Sequence, residues 1–503
     1  MAGRGNVTGC DLSDVTPLCM PWISVNGQRQ PGFSRPAALL SLELAASAYD
    51  LALDAWREAG WHDISYQVDN ALFSAVVGKK EDRDPETDLA ERFQRQAQAR
   101  LKRLNPISQL RGTLRQREGS DTCKAVVMLH RALGDRYVVA IGFMGTGKRI
   151  YDWISNFRMS QNEGMHNGFL QLTQRFENSC DQILFPETAK DLGLSRLSLS
   201  DILAECRRPQ SRFRIWMAGH SQGGAVMQLF AYRQVRQGLL RQHMLGYGFA
   251  SPSAMYRHPA CDPGSFPLFH IINADDAVPR VGAQLHLGRC RVFFPDSAMR
   301  EACYGQAWQD PAFRAVLSLT RTIRDNDSAM LLFLALLRTL TKMPGEDAAA
   351  VLNSLMGKIM PDFLLGMLSG KMDDMLSLLI RKTEQGYAQA SGSGLPEGQL
   401  QPLCRRMERL VRQFGTMTFA KAVGHALGLP HKLRGTNAAD GMAPYQYLVT
   451  QRFQDLRHRV WCASTITSCA SERAANRRLP AGRYAAFSAA RNRRSHRVWA
   501  GRS

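Results

Sequence analysis

The sequence of 503 residues contains no uninterrupted apolar run of about 18 residues, the length that a helix needs to cross a bilayer. Its first stretch, Met1 to Cys19, carries Asp11 and Asp14 and lacks the basic start and apolar core of a secretory signal. The sequence therefore predicts neither a transmembrane helix nor secretion, and we expect a cytoplasmic protein.

The 11 cysteines are scattered, without a Cys-x-x-Cys pair and without histidines at zinc-ligand spacing. This scatter argues against a structural metal, and the expected reducing compartment argues against a disulfide framework. The pattern predicts reduced thiols and no structural metal site, and the sequence as a whole implies no cofactor.

The net charge of +20 is unevenly distributed along the chain. Residues 457–503 contain eleven arginines, one glutamate and no lysine, so this tail alone supplies +10. Such a tail is able to contact RNA or anionic lipid. Its composition departs sharply from the rest of the chain, which favours a disordered extension. We expect no nucleic-acid partner and leave peripheral contact with a lipid surface open.

Short apolar runs predict the core of the fold. Ala125–Leu129 and Tyr137–Phe143 flank a polar turn, which is typical of neighbouring strands. Further runs alternate with helical stretches and lie at Phe213–Ala218, Leu245–Ala250, Leu268–Asn273 and Cys290–Phe294. This alternation predicts an α/β fold of three layers, with a mostly parallel sheet covered on both faces.

A motif at residues 219–223, Gly-His-Ser-Gln-Gly, stands directly between a predicted strand and the helical stretch Ala225–Val235. Glycines two positions before and after a serine permit the tight turn that exposes its Oγ. The helix N-terminus at this point favours developing negative charge. Ser221 is therefore the candidate nucleophile.

Four motifs together resemble one family. The first is the motif at residues 219–223, here called the elbow. The second is the Gly-Phe-Met-Gly-Thr of residues 142–146, which is similar to the family's Phe-Arg-Gly-Thr/Ser motif. Asp-Trp at 152–153 and His-Asn-Gly-Phe at 166–169 form a third match, and the Asp-Asp-Ala-Val-Pro of residues 275–279 is the fourth. With them, the segment from about 126 to 294 resembles the fungal-type, or class 3, lipases of the α/β-hydrolase superfamily. The resemblance implies an α/β-hydrolase fold.

The resemblance also implies roles for individual residues. The family's oxyanion hole corresponds here to the backbone N–H groups of Thr146 and Gln222. A lid corresponds to Gly147–Gly164, whose apolar face would cover the site. The triad acid corresponds to Asp276, although an aspartate that merely caps the turn before Pro279 is the structural alternative.

The base is the least determined part of the site, since a serine needs a histidine to take its proton. The family's base commonly stands in a His-x-x-x-x-Tyr motif, and the best match, residues 440–445, has Asp440 at that position. His431, which follows Pro430, is the first candidate, and His425 is the alternative. Each of these two could be a surface histidine, and a chain without a functional base is the third possibility.

Two other histidines are not expected to act as the base. His220 lies inside the elbow, and the turn should aim its ring away from the serine. His286 matches a family histidine that follows the acid and has no catalytic role.

Two rival functions follow from particular residues. Residues 142–148 also fit Gly-x-x-x-x-Gly-Lys, but Arg149 stands where a P-loop needs Ser or Thr, which makes nucleotide binding a remote alternative. A chain that has lost its base would instead be a lipase-fold binding protein.

The leading hypothesis is a carboxylic ester hydrolase of lipase or carboxylesterase type, which forms an acyl-enzyme with acyl or lipid esters. The sequence does not predict an oligomeric state. The predicted organisation is an N-terminal helical extension (1–115), a hydrolase core (116–300), a helical cap or insertion with the C-terminal part of the hydrolase domain (301–456), and the Arg-rich tail (457–503).

Overall fold

Eight strands form one twisted sheet at the centre of the protein. The structure is a computed structural model, and it describes residues 10–19, 22–25, 28–50, 53–68, 71–74, 124–132, 134–145, 161–256, 262–356, 372–431 and 445. The strands are β1 (Trp22–Val25), β2 (Gln28–Pro31), β3 (His62–Val68), β4 (Ala71–Ser74), β5 (Ala125–Arg131), β6 (Tyr137–Phe143), β7 (Gln161–Asn162), β8 (Met165–His166), β9 (Phe213–His220), β10 (Met244–Phe249), β11 (Leu268–Asn273) and β12 (Arg289–Phe293).

The order of the main sheet is β12-β11-β10-β9-β6-β5-β3-β4. The five strands from β12 to β6 run parallel, whereas β5, β3 and β4 join them in antiparallel pairs. Strands such as β6 are buried along their whole length, which is why they read as continuous apolar runs in the sequence. The predicted α/β-hydrolase fold class is confirmed.

Fourteen α-helices occur within the described ranges. They are α1 (Thr16–Cys19), α2 (Arg35–Asp50), α3 (Asp54–Glu58), α4 (Asn167–Glu177), α5 (Pro186–Asp191), α6 (Leu199–Glu205), α7 (Gln222–Arg236), α8 (Ser297–Tyr304), α9 (Pro311–Thr320), α10 (Asn326–Leu340), α11 (Gly345–Met356), α12 (Met372–Ser391), α13 (Glu397–Phe414) and α14 (Thr416–Gly428).

Each face of the sheet has its own apolar layer, because neighbouring residues of a strand point to opposite sides. Val127 and Leu129 of β5 pack with α4, α6 and α7 on one face. Val126 and Met128 pack with α2 and Trp56 on the other. The site therefore lies on a sheet that is held from both sides.

The helices after β12 form a separate apolar cluster, here called the helical unit (α8–α14). Three of them begin at an aspartate whose side chain accepts a backbone N–H of the first turn: Asp296, Asp310 and Asp325. An apolar run at residues 329–337 lies inside α10, packed into this cluster. No helix among the described residues is long and apolar enough to span a membrane.

The N-terminal region differs from the helical extension predicted for residues 1–115. Strands β3 and β4 extend the main sheet through β5, and α2 covers one of its faces. These strands were missed because β3 mixes His62, Asp63 and Gln67 with its apolar residues, and β4 has only four residues. The charged stretch 81–104, the Met-rich run 361–368 and the tail 457–503 lie outside the described residues.

Candidate active site

The candidate nucleophile occupies a strained turn between β9 and α7. Ser221 has φ 55° and ψ −132°, a backbone conformation that residues other than glycine rarely adopt. A Cβ at Gly219 would lie 2.5 Å from a backbone atom of Gly223, and a Cβ at Gly223 would lie 2.2 Å from the carbonyl oxygen of Phe143. Both glycines are therefore required by the close approach of backbone segments.

The loop after β6 lies directly against this turn. A Cβ on Gly145 would come within 3.0 Å of the Ser221 Cβ, so only glycine fits at that position. The Gln222 backbone begins α7 beside the serine. Thr146, the other predicted oxyanion donor, lies outside the described residues, as does the predicted lid apart from residues 161–164.

The candidate acid and base meet at the end of β11. Asp276 is fully buried, and its Oδ2 lies 2.9 Å from Nδ1 of His431. The Tyr445 hydroxyl donates to the same oxygen at 3.1 Å, and the Val278 N–H donates to Oδ1 at 2.9 Å. An ionised carboxylate only accepts hydrogen bonds, so Nδ1 of His431 carries the proton and Nε2 is left to accept one.

The chain after α14 delivers His431 to this point. The helix ends at Gly428, whose carbonyl oxygen accepts the His431 N–H at 3.3 Å. The Asn273 side chain at the end of β11 donates to the Pro430 carbonyl oxygen at 3.4 Å. The same sheet edge therefore holds the candidate acid and the segment that carries the candidate base.

The predicted alternative, His425, lies within α14, where its ring is 6.3 Å from the ring of Phe313. Of the two candidates, His431 is the one whose ring nitrogen meets Asp276. His286 lies deeper, with its Nε2 2.8 Å from the Ser251 carbonyl oxygen, and burial lowers its pKa to about 4.

His220 links the base to the opposite wall of the site. Its ring lies 4.7 Å from the ring of His431, and its Nε2 donates to the His431 carbonyl oxygen at 2.8 Å. Its Nδ1 therefore accepts from the Tyr49 hydroxyl, at 2.9 Å, and that hydroxyl in turn accepts the Gly145 N–H at 3.1 Å. Burial, followed by the neighbouring His431, holds the pKa of His220 well below 6.5, so this ring stays neutral.

Sequence reasoning missed Tyr49, because it stands at an apolar position of the helical pattern in α2 and looks like an ordinary core residue. Its hydroxyl bridges the loop of Gly145 and the side chain that holds His431 in place. The signal that could have identified Tyr49 is its hydroxyl group, because a polar atom on the otherwise apolar side of a helix needs a hydrogen-bond partner.

Asp275, the neighbour of the acid, faces away into the helical unit. Its carboxylate, fully buried, accepts two hydrogen bonds from Arg300 at 2.7 and 2.9 Å and one from Tyr304 at 3.0 Å, with Arg321 at 3.5 Å. The hydrogen bonds of Asp275 raise the pKa of Arg300. This pair ties α8 to the loop that carries Asp276.

Residues 146–149 of the P-loop match lie outside the described residues. Where the structure describes the chain, no group of three or more His, Cys, Asp or Glu side chains is arranged to hold a metal ion.

The comparisons with known proteins bear on the same segment. Residues 140–286 match the family model Lipase (class 3). The match includes the elbow and the candidate acid and ends before His431. Among proteins with curated descriptions, none matches the chain.

Several solved structures of fungal lipases are similar to part of the chain. They include the Rhizomucor miehei lipase propeptide complex (20% identity, TM-score 0.25, 34% of this chain and 52% of that chain). A lipase from Rhizopus microsporus var. chinensis (19%, 0.25, 34% and 57%) and lipase II from Rhizopus niveus (18%, 0.24, 34% and 62%) are similar to the same degree. The chain therefore spans about half to three fifths of the length of these lipases. The match of residues 140–286 to the class 3 lipase family model confirms the resemblance that the motifs predicted.

Proposed function

We propose that this protein hydrolyses carboxylic esters of acyl or lipid substrates through an acyl-enzyme on Ser221. The observation that carries the proposal is the 2.9 Å hydrogen bond between His431 and Asp276. The ring of His431 also contacts the ring of His220, the residue that directly precedes Ser221. A strained serine at a helix N-terminus, with a histidine oriented by a buried carboxylate, is the arrangement that activates a hydroxyl.

In the first step, Nε2 of His431 accepts the Ser221 proton while Oγ attacks the ester carbonyl carbon. Asp276 keeps Nδ1 protonated and stabilises the imidazolium that forms, without taking the proton itself. The same proton is then given to the leaving alcohol. Water repeats the sequence on the acyl-enzyme and releases the carboxylic acid.

The negative charge that develops on the carbonyl oxygen needs donors that are already in place. The Gln222 N–H, at the start of α7, is the proposed first donor, and the positive end of the helix dipole adds to it. The Thr146 N–H is the proposed second donor. Support for it comes from Gly145, which precedes it and packs against Ser221.

The rival hypothesis of an impaired binding protein rested on Asp440, which lies outside the described residues. The position of His431 favours the enzyme, because a buried carboxylate beside a histidine on the nucleophile's side has no evident use in a purely binding pocket. A lipase and a carboxylesterase would share this machinery and differ in the chain length that they accept.

Hydrolysis of p-nitrophenyl esters, from butyrate to palmitate, tests the proposal. Wild type should turn over, and Ser221→Ala and His431→Ala should each lower kcat by about 10⁴-fold or more. His425→Ala is the matched control and should retain activity. Equal rates for wild type and Ser221→Ala on every ester would overturn the proposal, and the chain-length profile would separate the two enzyme types.

A further inference from the structure

Helix α13, Glu397–Phe414, presents two opposite faces. One face is buried in the helical unit through Leu400, Cys404 and Met407. The other face is exposed and carries four arginines, Arg405, Arg406, Arg409 and Arg412. Three of these, at 405, 409 and 412, follow one ridge of the helix, since residues four and then three apart lie above one another.

The positive charge of this face is not balanced by acids of its own helix. Glu397 and Glu408 of α13 pair instead with Arg338 and Lys342 of α10, at 3.0 and 2.6 Å. Within the described ranges, no ion pair involves any of the four arginines. The face is therefore a concentrated positive surface rather than a network of salt bridges.

An exposed apolar side chain stands at the end of this surface. Gly415, with φ 80°, separates α13 from α14, and Met417 follows in the first turn of α14. Met417 is 66% exposed, more than any other large hydrophobic residue that the structure describes. Lys421 lies one turn later on the same side of α14 and is also exposed. Met417, here called the apolar tip, thus lies between the arginines of α13 and Lys421 of α14.

We propose that this surface, formed by the four arginines with Met417 and Lys421, binds the headgroups of an anionic phospholipid membrane. Basic side chains near an anionic bilayer are attracted to it, and an exposed apolar side chain gains by entering the acyl boundary. Nucleic acid would be attracted by the same charge. However, the exposed positions of this face carry no aromatic side chain on which a base could stack, which favours the membrane.

The location of the surface connects it to the candidate site. Helix α14 begins at the apolar tip and ends at Gly428, three residues before His431. Docking through α13 and α14 would hold the site close to the lipid surface. The inference goes beyond ester hydrolysis and does not depend on it, because the Ser221→Ala protein is expected to bind in the same way.

Sedimentation of the full-length protein with lipid vesicles tests the inference. The vesicles are phosphatidylcholine alone or phosphatidylcholine mixed with phosphatidylserine. The test variant replaces three arginines together, Arg405→Gln, Arg409→Gln and Arg412→Gln, which keeps good helix formers at each position. Binding to the anionic vesicles should fall by about fivefold for each charge, or roughly 100-fold in total.

The matched control removes the same charge elsewhere through Arg207→Gln, Arg208→Gln and Arg314→Gln, three exposed arginines outside α13. It should bind like wild type, and both variants keep the Arg-rich tail. Met417→Ala should lower vesicle binding by a larger factor at high salt than at low salt, because salt screens the charges and leaves the apolar contribution. Equal losses in both triple variants, no loss in either, or a selective loss of binding to single-stranded RNA rather than vesicles would overturn the inference.

Discussion

At the scale of single residues, two adjacent aspartates point into different environments. Asp276 faces His431 and Tyr445, whereas Asp275 faces Arg300 at the junction with the helical unit. A carboxylate that is paired with a guanidinium is held in place by strong bidentate hydrogen bonds. Asp275 therefore fixes the loop, and Asp276 is left to orient His431, the proposed base.

This division of roles predicts different effects of the same substitution. Asp276→Asn should lower kcat about 10⁴-fold with little change in stability, because the amide no longer fixes the required tautomer of His431. Asp275→Asn should instead lower the free energy of unfolding by about 3 kcal/mol and leave the kcat of the folded protein close to wild type. Urea unfolding and ester hydrolysis check both. A larger kcat loss in Asp275→Asn than in Asp276→Asn would contradict the assignment.

Tyr49 should act on the rate through the two groups that its hydroxyl bridges. Tyr49→Phe leaves the Gly145 N–H without its acceptor and His220 without its donor, so both the loop of the proposed oxyanion hole and His431 lose support. We expect kcat to fall about tenfold with KM unchanged, a loss of roughly 1.4 kcal/mol of transition-state stabilisation.

The matched control for Tyr49 is Tyr247→Phe. The Tyr247 hydroxyl also bonds backbone groups, those of Ser34, but away from the site. Both variants should lose comparable stability, and only Tyr49→Phe should lose kcat. A similar loss of kcat in the two variants would show that the effect is merely structural.

At the scale of elements, the strand-turn-helix elbow depends on glycine for steric reasons. Gly223→Ala would place a methyl group 2.2 Å from the Phe143 carbonyl oxygen, so β6 and α7 would have to separate. We expect loss of activity together with a lower melting temperature.

Gly386→Ala provides the comparison for the elbow, since nothing lies within 4 Å of a Cβ at that position in α12. Alanine in an open helical position should raise the free energy of unfolding by about 0.5–1 kcal/mol. Full activity in Gly223→Ala would mean that the elbow relaxes freely and that its strain has no role.

The elements themselves differ in how well the sequence predicts them. Strands β6, β10 and β11 of the main sheet were predicted because each is buried along its whole length and is therefore largely apolar in sequence. Strands β3 and β4 were missed because they are short or mixed in polarity, and their pairing with β5 is a long-range contact. Local pattern therefore predicts the centre of the sheet better than its antiparallel edge.

At the scale of the whole molecule, the candidate site is assembled from distant parts of the chain. Ser221 lies in the turn after strand β9, Tyr49 in the N-terminal helix α2, and His431 in the segment beyond the helical unit. The motif at residues 219–223 predicted Ser221 from local spacing, and the family resemblance implied Asp276. They left His431 and His425 open, because 155 residues separate Asp276 from His431 and only folding brings the two together.

Buried histidines should make the stability of the whole protein sensitive to acid. Burial lowers the pKa of His166 and His270 to about 3 and that of His286 to about 4. Their folded pKa values lie below the ordinary 6.5, so only the unfolded state gains protons as the pH falls from 6.5. The contribution of these histidines to the free energy of unfolding is thus complete above pH 6.5 and is lost progressively as the pH falls below that value.

For each of these histidines the loss should be about 1.4 kcal/mol per pH unit until the pH reaches its folded pKa. Urea unfolding at pH 8, 7, 6 and 5 (roughly the range over which the effect should appear) checks this. The free energy of unfolding should change little above pH 7 and drop steeply towards pH 5. A flat profile would show that these rings are accessible to protons in the folded state.

The most direct test of the proposed triad is the rate at which a fluorophosphonate labels Ser221, followed by mass spectrometry of the modified peptide. Wild type and His425→Ala should be labelled at Ser221 at similar rates. His431→Ala should be labelled at least 100-fold more slowly, since the serine then lacks its base. Rapid labelling of His431→Ala, or labelling of wild type at a residue other than Ser221, would contradict the assignment of Ser221, His431 and Asp276.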